Sequence, residues 1–358
     1  MMRVLHLPNS IGGMPWSLAQ AEKALGLESR VLYMSSDWFN YPSDLNLHLE
    51  KTSSALSRFF KLTKTFMQMR RQYDVFHFNY GRSLLHVPEI NLVNFELPFY
   101  SKTKGLFVTY NGCDARQKYL TVKRTKVSAC QSPDCYGGLC NSGEMDKLRR
   151  RSIGKMARYV QHMWAVNPDL LYFLPKEKSS FLPYSVYLYN KAVAKPSFDK
   201  KKLRIVHAPT ERGVKGSNII LHTVEEIKKG RNSEIDFRIV EKLPHEQAME
   251  VYRKADLFID QILVGWYGGV AVEVMSMGKP VICRIAEEDL HFIPKQMARD
   301  IKSAFINVNE TNLRETILRC IEDRNFLKRK SEAALDYART WHAPEYVAGI
   351  TKKAYESY

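Results

Sequence analysis

The sequence predicts an α/β protein built from two doubly wound parallel-sheet domains, and three observations predict it. A strand, glycine turn, helix and strand in that order open at residue 3 and again at residue 203. Residues 260–282, DQILVGWYGGVAVEVMSMGKPVI, run from the end of an apolar strand through a glycine-bearing loop into a helix, then through Gly278 and Pro280 into another strand. With 358 residues, 45% of them hydrophobic and 26% charged, the chain is long enough for two cores of ordinary size.

The first half begins RVLHLPN, SIGGMPW, SLAQAEKALG, RVLYMS, which reads as strand, glycine turn, helix and strand. Gly12 and Gly13 thus fall at the carboxyl end of the first strand, the edge where such sheets hold ligands. The strict G-x-G-x-x-G pattern of nicotinamide and flavin sites is absent. The strand DVFHFNY, a short helix around residues 90–97 and the strand GLFVTYNGCDAR follow. His77 with Asn79, and Asn111 with Asp114 and Arg116, are polar clusters at strand ends, candidates either for acceptor binding or for capping loops. VQHMWAVNPDLLYFLP reads as strand, turn and short helix, and SSFLPYSV as the last strand of a domain spanning 1–185. Residues 186–202 have no apolar period and read as the linker.

From 203 to 340 the alternation repeats: LRIVHAPT, the turn TERGVKG, the helix NIILHTVEEIKK, the strand DFRIV, the helix HEQAMEVYRKA, the strand DLFID, then the 260–282 stretch, the strand AFINV and a helix over 311–322. Trp341 and Pro344 interrupt the helical tail, and a final helix over 341–358 crossing back onto the first domain accounts for the break. Two Rossmann-like domains facing each other across a cleft are expected, with the glycine turns of both pointing into it.

Lys and Arg outnumber Asp and Glu by 54 to 38, giving +16 and a pI near 9.4, a balance that suits a polyanionic partner. No signature of a nucleic-acid module is present, so nucleic acid is not the partner expected. In residues 58–71, RFFKLTKTFMQMRR, five bases occur without an acid while Phe59, Leu62, Phe66 and Met69 recur at helical spacing. That pattern is a core-packing helix with a basic solvated face, the alternative being a helix on an anionic membrane surface. Residues 147–158, KLRRRSIGKMAR, form a second basic run. No stretch approaches the ~20 apolar residues of a membrane span, and the first residues enter a strand without a signal-peptide pattern. A cytoplasmic protein, peripheral at the inner membrane face, is the expectation.

Cys113, Cys130, Cys135 and Cys140, four of the six cysteines, lie within 28 residues, the last three in SACQSPDCYGGLC. In a reducing compartment the two readings are a structural four-thiolate zinc site and reduced thiols in a loop. Four thiolates leave no open position, so neither reading is catalytic.

Paired glycines before a helix let backbone approach a phosphate, and the helix N-terminus adds N–H groups and partial positive charge. The order HAPTERGVKGS, IVEKL, ADLFIDQ, GWYGGVAVEVMSMGKPVI resembles the donor-binding half of the two-Rossmann (GT-B) glycosyltransferases, in particular the retaining family-four type. The resemblance implies transfer of a sugar from a UDP- or GDP-sugar to a polysaccharide or lipid-linked glycan, without a catalytic metal. It implies that Lys215 and Arg212 face the donor diphosphate, that Gly268, Gly269 and Val270 offer backbone N–H groups to it, and that Glu273, the last Glu of the family's E-x7-E motif, accepts from the ribose. Glu241 would flank the base, and Tyr267, Gly12 and Gly13 would complete the donor site. Two positions depart from the family: Gly265 replaces the first motif Glu, leaving Asp260 or Gln261 to substitute, and Asn111 before Gly112 replaces a histidine. A nucleotide-sugar-binding scaffold that has lost activity and a nucleotide-sugar 2-epimerase are the alternative functions.

Overall fold

A computed structural model describes residues 1–36, 39–52, 54–186, 198 and 202–358. The expected linker, 186–202, lies almost wholly outside the described residues. The chain divides into two compact units, Met1–Gln117 with Gly143–Tyr187 and Ala343–Tyr358, and Lys118–Ser142 with Leu188–His342.

The first unit carries a seven-stranded, all-parallel sheet. Its strands are β1 (Arg3–Leu7), β2 (Glu28–Tyr33), β3 (Leu45–Asn46), β4 (Val75–Asn79), β5 (Gly105–Tyr110), β6 (His162–Ala165) and β7 (Ser179–Phe181), in the order β3-β2-β1-β4-β5-β6-β7. Strands β4 and β5 are buried along their whole length, as β-branched and aromatic runs covered on both faces must be. The helices α1 (Met14–Ala24), α2 (Ala55–Gln72) and α4 (Glu144–Tyr159) alternate with these strands. Gly13, left-handed at φ +69, and Pro15 in the first turn start α1 after β1 and a short 3-10 turn at Ile11–Gly13. The helix expected around residues 90–97 does not form. Asn91 and Asn94 adopt φ of +64 and +47, which interrupts any helix, and only 3-10 turns at Pro88–Ile90 and Leu97–Phe99 remain.

The second unit carries a five-stranded parallel sheet in the order β12-β11-β10-β8-β9. Its strands are β8 (Leu203–His207), β9 (Ile235–Ile239), β10 (Leu257–Ile259), β11 (Val281–Cys283) and β12 (Phe305–Asn307). The helices are α3 (Lys118–Arg124), α5 (Arg212–Lys215), α6 (Ser217–Arg231), α7 (His245–Lys254), α8 (Gly269–Ser276), α9 (Lys295–Ala304), α10 (Leu313–Glu322) and α11 (Arg324–Trp341). Ile205, Ile220, Val224, Ile259, Ile282 and Ile317 are among the side chains of its core.

Sequence order placed residues 113–140 within the first domain, whereas Lys118–Ser142 groups with the second unit. The cause is local chemistry: the guanidinium of Arg124 donates to the buried carboxylate of Asp289 at 2.7 Å, and Cys135 packs against Gly213. The final helix, α12 (Pro344–Glu356), joins the first unit as expected. There Val347, Ala348 and Tyr355 pack with Leu18, Phe107 and Trp164, and the Tyr355 hydroxyl meets His77 Nδ1 at 2.5 Å. Among the described residues no helix is long and apolar enough to cross a membrane.

Because Tyr355 is fully buried, Tyr355→Ala removes an aromatic ring from this core and is expected to lower stability by about 3–5 kcal/mol in urea unfolding. A loss below about 1 kcal/mol would mean that α12 is not part of that core.

Candidate functional site

In a parallel sheet, groups that follow different strands gather at one edge, the carboxyl ends. In the second unit this edge holds α5 after β8, Glu241 after β9, and Asp260 with the loop to α8 after β10.

Lys215 closes α5 and is 7% exposed. Its ammonium donates to Asp260 Oδ1 at 2.5 Å, and the backbone N–H of Gly268 donates to Asp260 Oδ2 at 2.7 Å. One carboxylate, 1% exposed, thus fastens the end of α5 to the start of α8. An ammonium has three donors, so Lys215 retains capacity for a second anion. Gly216 makes this close approach available: at φ +75 its missing Cβ would stand 2.6 Å from Ile262 Cγ1, and Ile262 N–H bonds to the Lys215 carbonyl at 3.1 Å. Gly268 has an ordinary φ, and a Cβ there would come within 3.2 Å of Lys215 Nζ, so a larger residue would press on the ammonium.

His207, at the end of β8 and fully buried, braces the same edge. Its Nδ1 lies 2.8 Å from the Ile259 carbonyl, which can only accept, so Nδ1 carries the proton and Nε2, at 2.8 Å, accepts from the Ser217 hydroxyl. Burial pushes its pKa down to about 4, outweighing the carbonyl contact that favours protonation.

The first turn of α8 contains no acidic residue and no capping side chain, and Gly268, Gly269 and Val270 are half-buried. Glu273, one turn further in, is 6% exposed and accepts from His245 Nε2 at 2.7 Å. Burial works against the His245 charge, but the hydrogen bond and negative charge of Glu273 prevail and raise its pKa above the ordinary value. Nothing in the local sequence HEQAMEVYRKA marks His245 as a partner of a residue on another helix.

Arg212 and Glu241 meet each other. The guanidinium donates from Nε and Nη2 to both carboxylate oxygens at 2.8 and 2.7 Å, and its hydrogen bonds and charge hold the Glu241 carboxyl below its usual range. The pair is half exposed, where such bridges contribute about 0–1 kcal/mol and exchange readily. Gln261 is turned inward, its amide donating to the Trp266 carbonyl.

Four expectations are corrected. Tyr267 is no part of a ligand surface: it is fully buried, stacked on Phe305, with its hydroxyl 2.9 Å from that of Tyr337 and 2.8 Å from His342 Nε2. Likewise His77 lies in the first unit's core, its nitrogens within 2.5 Å of Tyr355 Oη and 2.6 Å of Thr109 Oγ1. Arg116 forms a buried bidentate pair with Asp169 at 2.7 and 3.0 Å. The expected zinc set is not found either: among the described residues no group of three or more His, Cys, Asp or Glu is placed to hold a metal ion. In the first unit Gly12 and Gly13, at φ +59 and +69, follow the carboxyl end of β1, and Asn111 lies in a turn closed by the half-buried Asp114 carboxylate.

Gly265, where the resemblance expects a glutamate, is left-handed at φ +85, and a Cβ there would lie 3.0 Å from both Ala286 Cβ and Arg284 Nη1. The loop is therefore built around glycine at that position.

The chain's fold is similar to that of the Anabaena protein HepE, solved in complex with UDP-glucose (14% identity, 100% of each chain covered, TM-score 0.63). It is also similar to sucrose-phosphate synthase from Thermosynechococcus elongatus (14% identity, 99% and 98% covered, TM-score 0.62). The fold is of the GT-B glycosyltransferase type. The same likeness extends to a putative UDP-N-acetylglucosamine 2-epimerase from Listeria monocytogenes (14% identity, 99% and 96% covered, TM-score 0.54). No protein-family model and no curated protein matches the chain.

His207 gives a pH prediction. A histidine whose folded pKa is depressed contributes stability that is complete above about pH 6.5 and is lost as pH falls towards 4. The stability advantage of the wild type over His207→Gln should shrink by about 3 kcal/mol between pH 7 and pH 4 in urea unfolding; a difference independent of pH would contradict the neutral, buried imidazole.

Proposed function

We propose that the protein is a glycosyltransferase that takes its sugar from a nucleotide diphosphate donor, UDP-sugars first, and delivers it to a glycan or lipid-linked glycan at a membrane face. The observation that carries this reading is the gathering of Lys215, the start of α8, where Asp260 takes only the Gly268 N–H, and Glu273 at one sheet edge of the second unit. HepE, similar in fold, was solved with UDP-glucose, which supports the choice of nucleotide.

In the proposed reaction the bond between the sugar C1 and the diphosphate oxygen breaks, and a bond from C1 to the acceptor oxygen forms. The acceptor proton passes to a diphosphate oxygen, on the face that the diphosphate leaves, so configuration is retained and no separate base is required. Charge growing on the diphosphate is met by Lys215 and by the N–H groups of Gly269 and Val270, fixed before reaction by Asp260 and Gly268. Glu273, oriented by His245, accepts from the ribose hydroxyls. Arg212 can exchange Glu241 for phosphate oxygens because that pair is exposed. The carboxylate absent at Gly265 has its nearest counterpart in Asp260, which acts through Lys215.

A 2-epimerase is the second reading, favoured by the Listeria neighbour. Incubation with UDP-N-acetylglucosamine and no acceptor separates the two: accumulation of the C2 epimer would replace the transferase proposal.

Lys215→Met alone would strand a buried carboxylate, so the informative variant is Lys215→Met with Asp260→Asn. It is expected to stay folded and to bind UDP about 10- to 100-fold more weakly, the loss of one charged hydrogen bond, read by calorimetry. Unchanged affinity would remove Lys215 from the diphosphate site. Gly265→Glu is expected to cost about 1–2 kcal/mol of stability from its left-handed backbone and to lower turnover rather than restore it; increased turnover would show that a carboxylate is tolerated and used there.

A further inference from the structure

The helix α2 turns Leu62, Thr65 and Phe66 into the first unit and leaves a second apolar line outside. Leu56, Phe60 and Met67 are 66%, 64% and 42% exposed. At about 100° per residue their spacings place all three within roughly 40° of one another, away from the buried stripe. Single exposed apolar residues are ordinary, but an aligned set on a helix that already has a separate core face is not. Lys64 and Arg71 flank the line and are exposed, and the helix carries five bases and no acid. The patch continues beyond the helix: Arg70 Nη1 donates to the Phe99 carbonyl at 3.0 Å, Phe99 is 50% and Phe95 39% exposed, and Lys155 lies 5.8 Å over the Phe95 ring.

We propose that this face of α2, with Phe95 and Phe99, docks the protein on an anionic lipid bilayer, with Leu56, Phe60 and Met67 set among the acyl chains and Lys64, Arg70 and Arg71 at the headgroup phosphates. Charge complementarity selects the occupant: an acid-free basic helix fits a negatively charged surface, and a helix lying in the interface needs apolar side chains beside its cations. Nucleic acid would use the bases but gain nothing from Leu56 or Met67. The inference deepens the proposed function, resting on it only for the idea that the acceptor is membrane-borne; docking itself needs no transfer chemistry.

The test is co-sedimentation of the full chain with vesicles of phosphatidylcholine alone or with 30% phosphatidylglycerol, at low and high salt. The wild type should require phosphatidylglycerol and weaken with salt, each well-placed base contributing roughly fivefold. The triple variant Leu56→Ser, Phe60→Ser, Met67→Ser, which keeps every charge and touches no core residue, should partition at least about tenfold more weakly while keeping the wild-type unfolding temperature and UDP affinity. Equal binding by the triple variant, binding indifferent to phosphatidylglycerol, or none at all would overturn the proposal, as would tighter, stripe-independent retention on duplex DNA. Vesicle binding without any nucleotide-sugar binding would leave the docking intact and remove the transferase reading, and the reverse result would do the opposite.

Discussion

The second unit depends on one buried carboxylate. Asp260 accepts from the Lys215 ammonium and the Gly268 N–H, so a single side chain fixes the end of α5, the exit of β10 and the start of α8. A buried ion pair of this kind is weak evidence for net stability, since both charges lose water, but removing one member strands the other at about 3–5 kcal/mol. Its value lies in arrangement. A cation and a helix N-terminus are held at one point of the sheet edge before any ligand contributes energy to placing them. The glycines follow from it: Gly216 admits Ile262 against the α5–α6 junction, and Gly268 leaves room for the Lys215 head.

Around that clamp the other polar groups are matched rather than left for a ligand to satisfy. His207 is neutral because burial forbids its charge, and its fixed tautomer ties β8 to β10 and to the first residue of α6. His245 is the opposite case, drawn towards protonation by Glu273. The Arg212–Glu241 pair sits where water screens it and can be rearranged at little cost. A deep, fixed set and a shallow, exchangeable one therefore share the same edge, which suits a site that must grip one end of a ligand and admit the other.

Much of this was legible in the residues. Period and punctuation predict parallel sheets, because strands such as VFHFN and GLFVTY can only be buried on both faces and each has a glycine two residues after its end. Gly268 stands in a glycine turn between a strand and a helix, and Lys215 and Glu273 are singled out by the family resemblance. Their partners are not. Lys215 and Asp260 are 45 residues apart, His245 and Glu273 28, Arg212 and Glu241 29, and no local pattern encodes such pairs. Tyr267 reads as a loop aromatic beside glycines until Tyr337 and His342, 70 and 75 residues later, close over it. The cysteines cluster in sequence, but the chain passes from one unit to the other between Gln117 and Lys118, so Cys113 groups with the first unit and the other three with the second, a division that no spacing rule encodes.

If Lys215 and the start of α8 are held in place to receive a diphosphate, the second phosphate must contribute much of the affinity. Calorimetric titration of the full chain with nucleoside diphosphates and the matching monophosphates, for uracil, guanine, adenine and thymine, measures this directly. At least one diphosphate should bind about tenfold or more tightly than its monophosphate, the worth of one charge-assisted contact. Equal affinity for every pair, or no binding of any, would contradict the assignment of this sheet edge as a diphosphate site.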